Sequence, residues 1–402
     1  MGKVYITAAK RSAIGTMHGS LSDYDLGELG AQVIKKVIEE SGVKAEEIDE
    51  VIMGNLYSAG LGGNIGRQAS IKAGIPVEVP AYSVNMLCGS GMKSVMNGFT
   101  SIKAGIHRIV LTGGLENMSS TPTLIPGKVK RGQKMGNVEL QDHMLKDGLI
   151  DAFYNYHMGV TAENIVDKHS IPREEQDAFA LESNLRATKA QAEGRLAAEI
   201  APVVIPSRKG DITIDQDEHI KTDATFEGLS KLRPAFKKGG TVTAGNASGI
   251  NDAASALMLV DETVVEEKGL KPLAEIIAIG QAGVDPSVMG LGPVPAIRNV
   301  LKTAGMKFSD FEVIELNEAF AGQSLGVLKE LSEEHGVSEE KLLEITNVDG
   351  GAIALGHPVG ASGNRIIVTL LRIMKERNLT YGLATLCIGG GMGTAVIIKN
   401  MQ

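Results

Sequence analysis

The chain carries one structural pattern twice, and this internal repeat limits the folds open to it. Each copy predicts an amphipathic helix, a glycine near the helix C-terminus, an acidic loop and a short apolar strand that ends in asparagine. The two copies are residues 33–55, VIKKVIEESGVKAEEIDEVIMGN, and residues 296–317, AIRNVLKTAGMKFSDFEVIELN. Gly42 and Gly305 lie where a left-handed residue commonly ends a helix. Two halves of matching order predict a pseudo-twofold α/β architecture of stacked layers.

The repeat extends into the segments that hold reactive residues. In each half a strand runs into a turn of small residues, 88–91 (CGSG) or 360–363 (GASG), and a long apolar helix follows. The segment 121–245 has no counterpart in the second half and is predicted to be an inserted loop domain. The expected domain boundaries are 1–120 plus 246–275 for the N-terminal half, 121–245 for the insertion, and 276–402 for the C-terminal half. Chemistry is expected where equivalent ends of the two halves face each other.

Composition and charge narrow the class of function. Hydrophobic residues make up 43% of the chain and charged residues 22%, as in a packed globular protein. The net charge of −8 argues against a general nucleic-acid binder, since phosphate backbones are bound by clustered Lys and Arg. No apolar run reaches the roughly 18–20 residues that a membrane span needs. Neither a signal-peptide stretch nor a peroxisomal C-terminal signal is present in the sequence, so a cytoplasmic protein is expected.

Cys88 and Cys387 are the only two cysteines. Two scattered thiols favour neither a disulfide nor a zinc site, and no metal site is predicted. Free cysteines are usually small buried hydrophobic residues, and that interpretation stays open for each. Cys88, however, lies between an apolar strand and a helix that begins Gly-Ser-Gly. A thiol at a helix N-terminus has its pKa lowered from about 8.5, which favours the nucleophilic thiolate.

Three further residues could take part in catalysis. His357 lies on the turn that enters the equivalent helix of the second half, where it could pair with Cys88. Cys387 ends a strand before the run GGGMG, which lacks the G-x-G-x-x-G spacing of a dinucleotide loop. Backbone amides beside a second thiol suit an oxyanion instead. Asn317 ends the second-half strand, where it could cap the next helix or hold a water or a carbonyl oxygen.

With these residues in view, the chain resembles the thiolases over nearly its whole length, and within them the biosynthetic branch. The resemblance rests on six segments in order: VNMLCGSGMKS around Cys88, YHMGVTAEN at 156–164, TVTAGNASGIND at 241–252, NEAFA at 317–321, GGAIALGHPVGASG at 350–363 and CIGGGMGT at 387–394. The resemblance implies a duplicated five-layered αβαβα core with a loop domain inserted in the N-terminal half.

The resemblance also implies a reaction, acetyl-CoA C-acetyl transfer, in which two acetyl-CoA molecules condense reversibly to acetoacetyl-CoA and CoA. By similarity, Cys88 accepts the acyl group, His357 activates it and Cys387 is the acid/base thiol. Of two oxyanion sites, one would use His357 and a water held by Asn317, and the other the backbone N–H groups of Cys88 and Gly389. No cofactor is expected beyond CoA itself as substrate and product, because a thioester already has an acidified α-carbon and a good leaving group.

The same resemblance assigns contacts to CoA. The pantetheine would run along Leu149, His157, Met158, Ala244, Ser248, Ala319 and Phe320. The segment 221–238 would flank the adenine nucleotide through Lys221, Leu232 and Phe236, although a solvated face is the other interpretation of its basic residues. A homotetramer is expected, with a dimer as the alternative.

Three other functions stay open. A degradative 3-ketoacyl-CoA thiolase of broader chain length shares the motifs, but the pair at 157–158 and Met289 favour the short-chain branch. A ketoacyl-synthase-like enzyme is disfavoured, since such enzymes pair the cysteine with a His pair or His–Asn, whereas Cys387 is the second acid/base group here. A silent CoA- or lipid-binding module is disfavoured by the intact set of Cys88, Asn317, His357 and Cys387.

Overall fold

The fold is that of a computed structural model, which describes residues 2–402. The helices are α1 Leu26–Ser41, α2 Ile65–Lys72, α3 Ser90–Lys103, α4 Gly127–Lys130, α5 Met158–His169, α6 Arg173–Ala192, α7 Phe226–Ser230, α8 Glu262–Lys268, α9 Pro293–Ala304, α10 Ala321–His335, α11 Glu339–Ile345, α12 Ala352–Leu355 and α13 Val359–Arg377. Short 3₁₀ helices span Ala45–Glu47, Leu196–Ala198, Pro286–Leu291 and Phe308–Asp310, and a π-helical turn spans Leu145–Leu149. Among the described residues, no helix is both long and apolar enough to cross a bilayer.

The strands are β1 Val4–Arg11, β2 Gly15–Thr16, β3 Glu50–Gly54, β4 Ala81–Val84, β5 Ile109–Asn117, β6 Thr123–Leu124, β7 Gln141–Asp142, β8 Val203–Ile205, β9 Ile212–Ile214, β10 Asn251–Asp261, β11 Ala274–Gly283, β12 Val313–Leu316, β13 Tyr381–Ile388 and β14 Met392–Asn400. Most belong to one mixed sheet of 10 strands in the order β12-β13-β14-β11-β1-β10-β5-β3-β4, with β2 paired to β10.

The structure confirms the repeat predicted from the sequence. In the first copy α1 ends at Gly42 (φ 73°), and in the second α9 ends at Gly305 (φ 66°). Both glycines are left-handed C-caps, a backbone conformation that other residues adopt only at a steric cost. Strand β3 then leads to Asn55 as β12 leads to Asn317. The two halves therefore present asparagine at equivalent positions.

Strand pairing repeats in the same way. In the first half β3 pairs parallel with β4 and β5, and β5 pairs antiparallel with β10. In the second, β12 pairs parallel with β13, β13 pairs antiparallel with β14, and a single bridge at Thr346 takes the place of β4. The halves join where β1 pairs with β11 through Tyr5 and Ile6. The sequence repeat did not predict this continuous sheet, because the joining strands are far apart in the chain.

The two halves form the five layers that the family resemblance implied. Helices α1 and α2 cover the outer face of the first half-sheet and α9 that of the second, while α3 and α13 lie between the half-sheets. One apolar cluster joins these central helices to strands of both halves, with Met92, Val110, Ile367 and Leu386 among its members. Because neighbours cover α13 on all sides, it is buried throughout from Val359 to Met374.

Two glycines bring the first turns of the central helices into backbone contact. A Cβ atom on Gly91 would lie 2.8 Å from the backbone nitrogen of Asn364. A Cβ atom on Gly363 would lie 2.5 Å from the backbone nitrogen of Met92. Any larger residue would force the helices apart in a close-packed interior. The turn that holds Cys88 and the turn that follows His357 therefore lie side by side.

The segment predicted to be an insertion folds as α4 to α7 with two small ribbons, β6-β7 and β8-β9. It is fastened to the core by Arg11, a fully buried residue of β1. The guanidinium donates to Glu199 at 2.6 Å and to Asp217 at 2.7 and 2.9 Å. Helix α5, which begins at Met158, packs on α10 of the second half. The domain boundaries given above stay a prediction.

Candidate active site

A largely apolar cavity of about 360 Å³ opens where both halves and the 121–245 segment meet. Cys88 from the first half, His357 and Cys387 from the second, and His157 from the 121–245 segment all line it. Of the five residues predicted to take part in catalysis, the tertiary structure thus places Cys88, His357, Cys387 and Gly389 in the lining of one cavity. Within residues 2–402, no group of three or more His, Cys, Asp or Glu side chains is placed to hold a metal ion.

Cys88 lies on a tight turn between β4 and α3. The residue before it, Leu87, has a φ of 50°, a left-handed conformation that costs a branched residue about 1–3 kcal/mol. The residue after it, Gly89, is required because a Cβ atom there would overlap the side chain of Ile388. The surrounding packing stabilises this strained strand–turn–helix geometry, which presents the half-buried thiol to the cavity.

The expectation that the helix N-terminus lowers the pKa of Cys88 is wrong for this structure. Burial raises the pKa of the thiol, and hydrogen bonds from the backbone N–H groups of Gly389 and Cys88 offset only part of that rise. Burial dominates because a thiolate loses the water that would solvate it. Cys88 is therefore a thiol at rest and needs a base beside it.

His357 lines the same cavity and can act as that base. Its Nδ1 lies 2.6 Å from Oγ of Ser362, and that hydroxyl donates to the carbonyl of Pro358 at 3.0 Å. Since the hydroxyl has only one hydrogen to give, Nδ1 carries the ring hydrogen and donates to Oγ. Nε2 therefore carries the lone pair, and its neighbour is Nδ2 of Asn317 at 3.5 Å. Burial, aided by the charge of Arg365, lowers the pKa of His357 to about 3, so the ring is neutral at neutral pH.

Cys387 is a buried residue near the end of β13 that lines the same cavity. Burial raises the pKa of its thiol, and the nearby Cys88 raises it further. Cys387 is therefore also a thiol at rest, which suits an acid. Two residues later, the backbone N–H of Gly389 donates to the sulfur of Cys88. That N–H is in place to stabilise an oxyanion formed on the group that Cys88 attacks.

Asn317 lies beside His357 without lining the cavity. Its Nδ2 is 3.5 Å from Nε2 of His357, which is long for a hydrogen bond. The capping alternative is wrong, since α10 begins at Ala321 with Phe320 as its N-cap. Oδ1 of Asn317 is buried and has no hydrogen-bond partner within residues 2–402. A buried amide oxygen of this kind can accept a hydrogen bond from a water or a substrate group.

Most of the predicted CoA contacts line the cavity. They are Leu149, His157, Met158, Phe236, Ala244, Ser248, Ala319 and Phe320. Lys221 and Leu232 do not. Lys221 is exposed, and its backbone N–H donates to Asn184. Leu232 is 40% exposed and covers Gly245. Both lie on the surface outside the cavity, and their contact with a nucleotide stays a prediction.

An aromatic stack forms one wall of the cavity. The ring of His157 stacks on Phe236 with centroids 4.5 Å apart, and Phe236 meets Phe320 edge-on at 6.0 Å. Gly159 permits this stack, since a Cβ atom there would overlap the Phe236 ring. Nδ1 of His157 accepts the N–H of Gly159 at 3.0 Å, and burial lowers the pKa of the ring. His157 is therefore neutral with its hydrogen on Nε2, where it can serve as a donor.

The sequence reasoning missed part of the lining. The missed residues are Thr16, Met17, Leu56, Tyr57, Leu87, Met118, Gly148, His219, Ala247, Gly249, Ile250 and Val359. Tyr57 is buried and donates its hydroxyl to the carbonyl of Met144 at 3.1 Å, while burial lowers the pKa of His219 to about 4. No local motif marks His219. Tyr57 lies two residues after Asn55, the last residue of the first repeat copy. That position was the signal from which Tyr57 could have been predicted.

Known proteins match the chain over almost its full length. The family described as "Thiolase, N-terminal domain" matches residues 4–263, and "Thiolase, C-terminal domain" matches residues 270–400. An acetyl-CoA acetyltransferase of Chromobacterium violaceum is 52% identical, with 99% of each chain covered. The crystal structure of acetyl-CoA acetyltransferase from Syntrophomonas wolfei superposes with a TM-score of 0.96 at 43% identity, covering 100% of both chains. Human mitochondrial 3-ketoacyl-CoA thiolase superposes with a TM-score of 0.93 at 41% identity, covering 99% of both chains.

Proposed function

This chain belongs to the thiolase family and is an acyltransferase, and we propose that it condenses two acetyl-CoA molecules to acetoacetyl-CoA and CoA. The observation that carries the proposal is that Cys88, His357 and Cys387 line one apolar cavity. Two thiols and a neutral imidazole supply a nucleophile, a base and an acid, which are the groups that thioester condensation needs.

In the first half-reaction, Nε2 of His357 takes the proton of Cys88, and the thiolate attacks the carbonyl carbon of acetyl-CoA. The backbone N–H groups of Gly389 and Cys88 receive the oxyanion, and losing one such donor typically costs about 3–4 kcal/mol. The bond to the CoA sulfur then breaks and leaves acetyl-Cys88. The departing CoA thiolate takes the proton of Cys387, whose thiolate is stabilised by the new imidazolium of His357.

In the second half-reaction, the Cys387 thiolate removes a proton from the methyl group of a second acetyl-CoA. The imidazolium of His357 and a water on Asn317 stabilise the enolate oxygen. The enolate carbon attacks acetyl-Cys88, the carbon–carbon bond forms, and the Cys88 thiolate leaves and takes the proton of His357. Every group has then returned to its resting state, and the reverse sequence is thiolysis.

CoA would enter along the wall that His157, Phe236 and Phe320 form. The stacked rings give the pantetheine an apolar surface, and Nε2 of His157 supplies a neutral donor. Ser248 donates its backbone N–H to the carbonyl of Ala319, and its side chain adds a hydroxyl to the same wall. This arrangement suits a ligand that is mostly apolar with a few amide groups, as pantetheine is.

Mass spectrometry of the intact protein mixed with acetyl-CoA tests the mechanism. We expect one acetyl group on Cys88, in the wild type and in Cys387→Ala alike, and none at that position in Cys88→Ala. In Cys387→Ala the condensation should fall by about 100- to 10,000-fold, the usual contribution of a general acid/base. A wild-type protein that gains no acetyl group, or a Cys88→Ala variant with full activity, contradicts the proposal.

A degradative 3-ketoacyl-CoA thiolase is the second candidate, because the human mitochondrial protein of that name shares the fold. The side chains of Met158 and Met289 favour the short-chain reaction, since both belong with Cys387 to one apolar cluster and line the cavity. Turnover of acetoacetyl-CoA and of a long-chain 3-ketoacyl-CoA should therefore differ in favour of the short substrate. Preference for the long chain would overturn the biosynthetic assignment.

A homotetramer in the cytoplasm completes the proposal. The loop that joins β6 to β7 and its flanks exposes Ile125, Met135 and Leu140, which are 64%, 92% and 57% exposed. Apolar side chains left uncovered on one hairpin support an interface with other copies of the chain. Light scattering should give the mass of four chains, and the mass of a single chain contradicts both the tetramer and the alternative dimer. Cell fractionation tests the location.

A further inference from the structure

Glu116 is a fully buried acid at the end of β5, which the mechanism above does not use. Burial raises its pKa to about 7, while hydrogen bonds from three backbone N–H groups favour the charged carboxylate. Its Oε1 accepts from Nδ2 of Asn55 at 2.8 Å and from the N–H of Tyr57 at 3.1 Å. Its Oε2 accepts from the N–H groups of Leu56 and Gly360, both at 2.9 Å. Four N–H donors therefore converge on one carboxylate.

These four donors come from both halves of the molecule. Asn55, Leu56 and Tyr57 follow β3, whereas Gly360 lies in the first turn of α13, three residues after His357. Leu56, Tyr57 and Val359 line the cavity and pack in the apolar cluster that also contacts Cys88. Glu116 is thus hydrogen-bonded both to the cavity wall on the Cys88 side and to the first turn of α13, which follows His357 directly in the chain.

The repeat shows what Glu116 corresponds to in the other half. In the pairing of β3 with β5, Gly54 lies opposite Gly114; in that of β12 with β13, Leu316 lies opposite Thr385. Two residues beyond these partners come Glu116 and Cys387. In the same way, the turns CGSG and GASG place Gly360 at the position equivalent to Cys88.

The pseudo-twofold therefore relates two pairs. Cys387 lies close to Cys88, and Glu116 contacts the equivalent residue Gly360. Gly360 has to be glycine, because a Cβ atom there would lie 2.5 Å from Oε2 of Glu116. One copy of the pattern holds two reactive thiols, and the other holds a carboxylate and a backbone N–H in their place.

We infer that Glu116 is a positioning residue for acyl transfer, which holds the loop at residues 55–57 and the first turn of α13 at the spacing that lets His357 reach Cys88. This inference rests on the proposed thioester mechanism. Both oxygens of a carboxylate accept hydrogen bonds, so a carboxylate can accept all four. In the amide of a glutamine, one oxygen is replaced by an NH₂ group, which cannot accept the hydrogen bonds of the two donors that face it. Loss of two bonds would release either Asn55 and Tyr57 or Leu56 and Gly360.

The charge of Glu116 and its hydrogen bonds act on Cys88 in opposite directions. The negative charge raises the pKa of the Cys88 thiol slightly beyond the effect of burial. If charge were the main effect, Glu116→Gln would make Cys88 easier to ionise and faster to alkylate. If position is the main effect, the same variant moves His357 away from Cys88 and alkylation becomes slower. The direction of the change in alkylation rate therefore distinguishes an effect of charge from an effect of position.

The test uses the full-length protein with iodoacetamide and acetyl-CoA as probes. In Glu116→Gln we expect the rate of Cys88 alkylation and the rate of Cys88 acetylation both to fall by about 10- to 100-fold, as when a catalytic pair is displaced by about 1 Å. The affinity for CoA should stay unchanged, because the pantetheine wall is not bonded to Glu116. Glu50→Gln is the matched control, since Glu50 is a partly buried carboxylate of β3 that lies 3.6 Å from Nδ1 of His107 and is not part of the cavity lining. Its rates should equal those of the wild type.

Each result decides the inference. Glu116→Gln with wild-type alkylation and acetylation rates, or with faster alkylation, overturns it, even if the melting temperature falls. If Glu116→Gln does not fold, Glu116→Asp is measured in its place; it keeps the charge but is one methylene too short to reach both halves. Slower alkylation in Glu116→Asp supports the inference, and a wild-type rate overturns it. Failure of the wild type to acetylate at Cys88 would instead overturn the proposed function.

Discussion

The Oγ atom of Ser362 lies 2.6 Å from Nδ1 of His357 and determines which ring nitrogen carries the hydrogen. Because the same hydroxyl donates to the carbonyl of Pro358, it can only accept from the ring. The proposed base, which lies two residues before α13, is thus oriented by a residue from the first turn of that helix. Ser362 is buried outside the cavity lining, so it would act on the reaction through His357.

Ser362→Ala should therefore slow catalysis without abolishing folding. The ring of His357 would lose the partner that selects its tautomer, and we expect Cys88 alkylation by iodoacetamide to slow by about 10- to 100-fold. Ser70→Ala is the matched control, since Ser70 is also buried but its hydroxyl has no hydrogen-bond partner within residues 2–402. The control should alkylate at the wild-type rate. An unchanged rate in Ser362→Ala would show that the hydroxyl does not orient the ring.

The dependence of the free energy of unfolding on pH should show that His357 is buried and neutral in the native protein. The pKa of His357 is about 3 in the native protein and near 6.5 in the unfolded chain. Between these values the unfolded chain binds the proton more strongly, so stability falls as the pH falls from about 6.5 towards 3. The slope from this group is at most about 1.4 kcal/mol per pH unit.

Urea midpoints measured from pH 6.5 down to pH 4 should therefore be less pH-dependent in His357→Gln than in the wild type. His219, whose pKa burial lowers to about 4, acts with the same sign. The double variant should thus flatten the dependence further. An identical slope in the wild type and in His357→Gln would contradict a buried, neutral His357.

Gly363→Ala should separate the two central helices. The new Cβ atom would lie 2.5 Å from the backbone nitrogen of Met92, an overlap that no side-chain movement can relieve. We expect a loss of about 1–3 kcal/mol in the free energy of unfolding, measured in urea, together with slower acetylation of Cys88. Gly127→Ala, where the nearest atom is the flexible end of Arg131 at 3.7 Å, should leave both unchanged. A fully stable Gly363→Ala protein would mean that the helices are not in close contact.

Met289→Ala should widen the substrate range. Met289 is 3% exposed, lines the cavity and packs with Met158 and Cys387. Removing its side chain should raise kcat/KM for a six-carbon 3-ketoacyl-CoA relative to acetoacetyl-CoA by about 10-fold, the usual value of a methylene or two in an apolar pocket. Met306→Ala is the control, because Met306 packs in the outer layer on the second half. An unchanged ratio in Met289→Ala would place the chain-length limit elsewhere.

The residues proposed for catalysis could be selected from the sequence where local pattern and repeat agreed. Cys88 lies on the turn before α3, and His357 lies on the turn between α12 and α13, three residues before Gly360, the equivalent of Cys88. Equivalent turns in the two halves face each other across the pseudo-axis. The predicted CoA contacts came from the family resemblance, and most of them line the cavity. Lys221 and Leu232 do not, because a position in sequence near the binding segment does not decide whether a side chain turns inward.

The sequence by itself determined the duplicated order of helices and strands, the left-handed glycines at 42 and 305, and the identity of the two thiols. These depend on spacing and on backbone sterics, which act between near neighbours. Only the tertiary structure decided that burial raises the pKa of Cys88, that Ser362 orients His357, and that Glu116 connects the two halves. Desolvation and hydrogen bonds across the pseudo-axis depend on which distant residues pack together, and that contact exists only once both halves have folded onto α3 and α13.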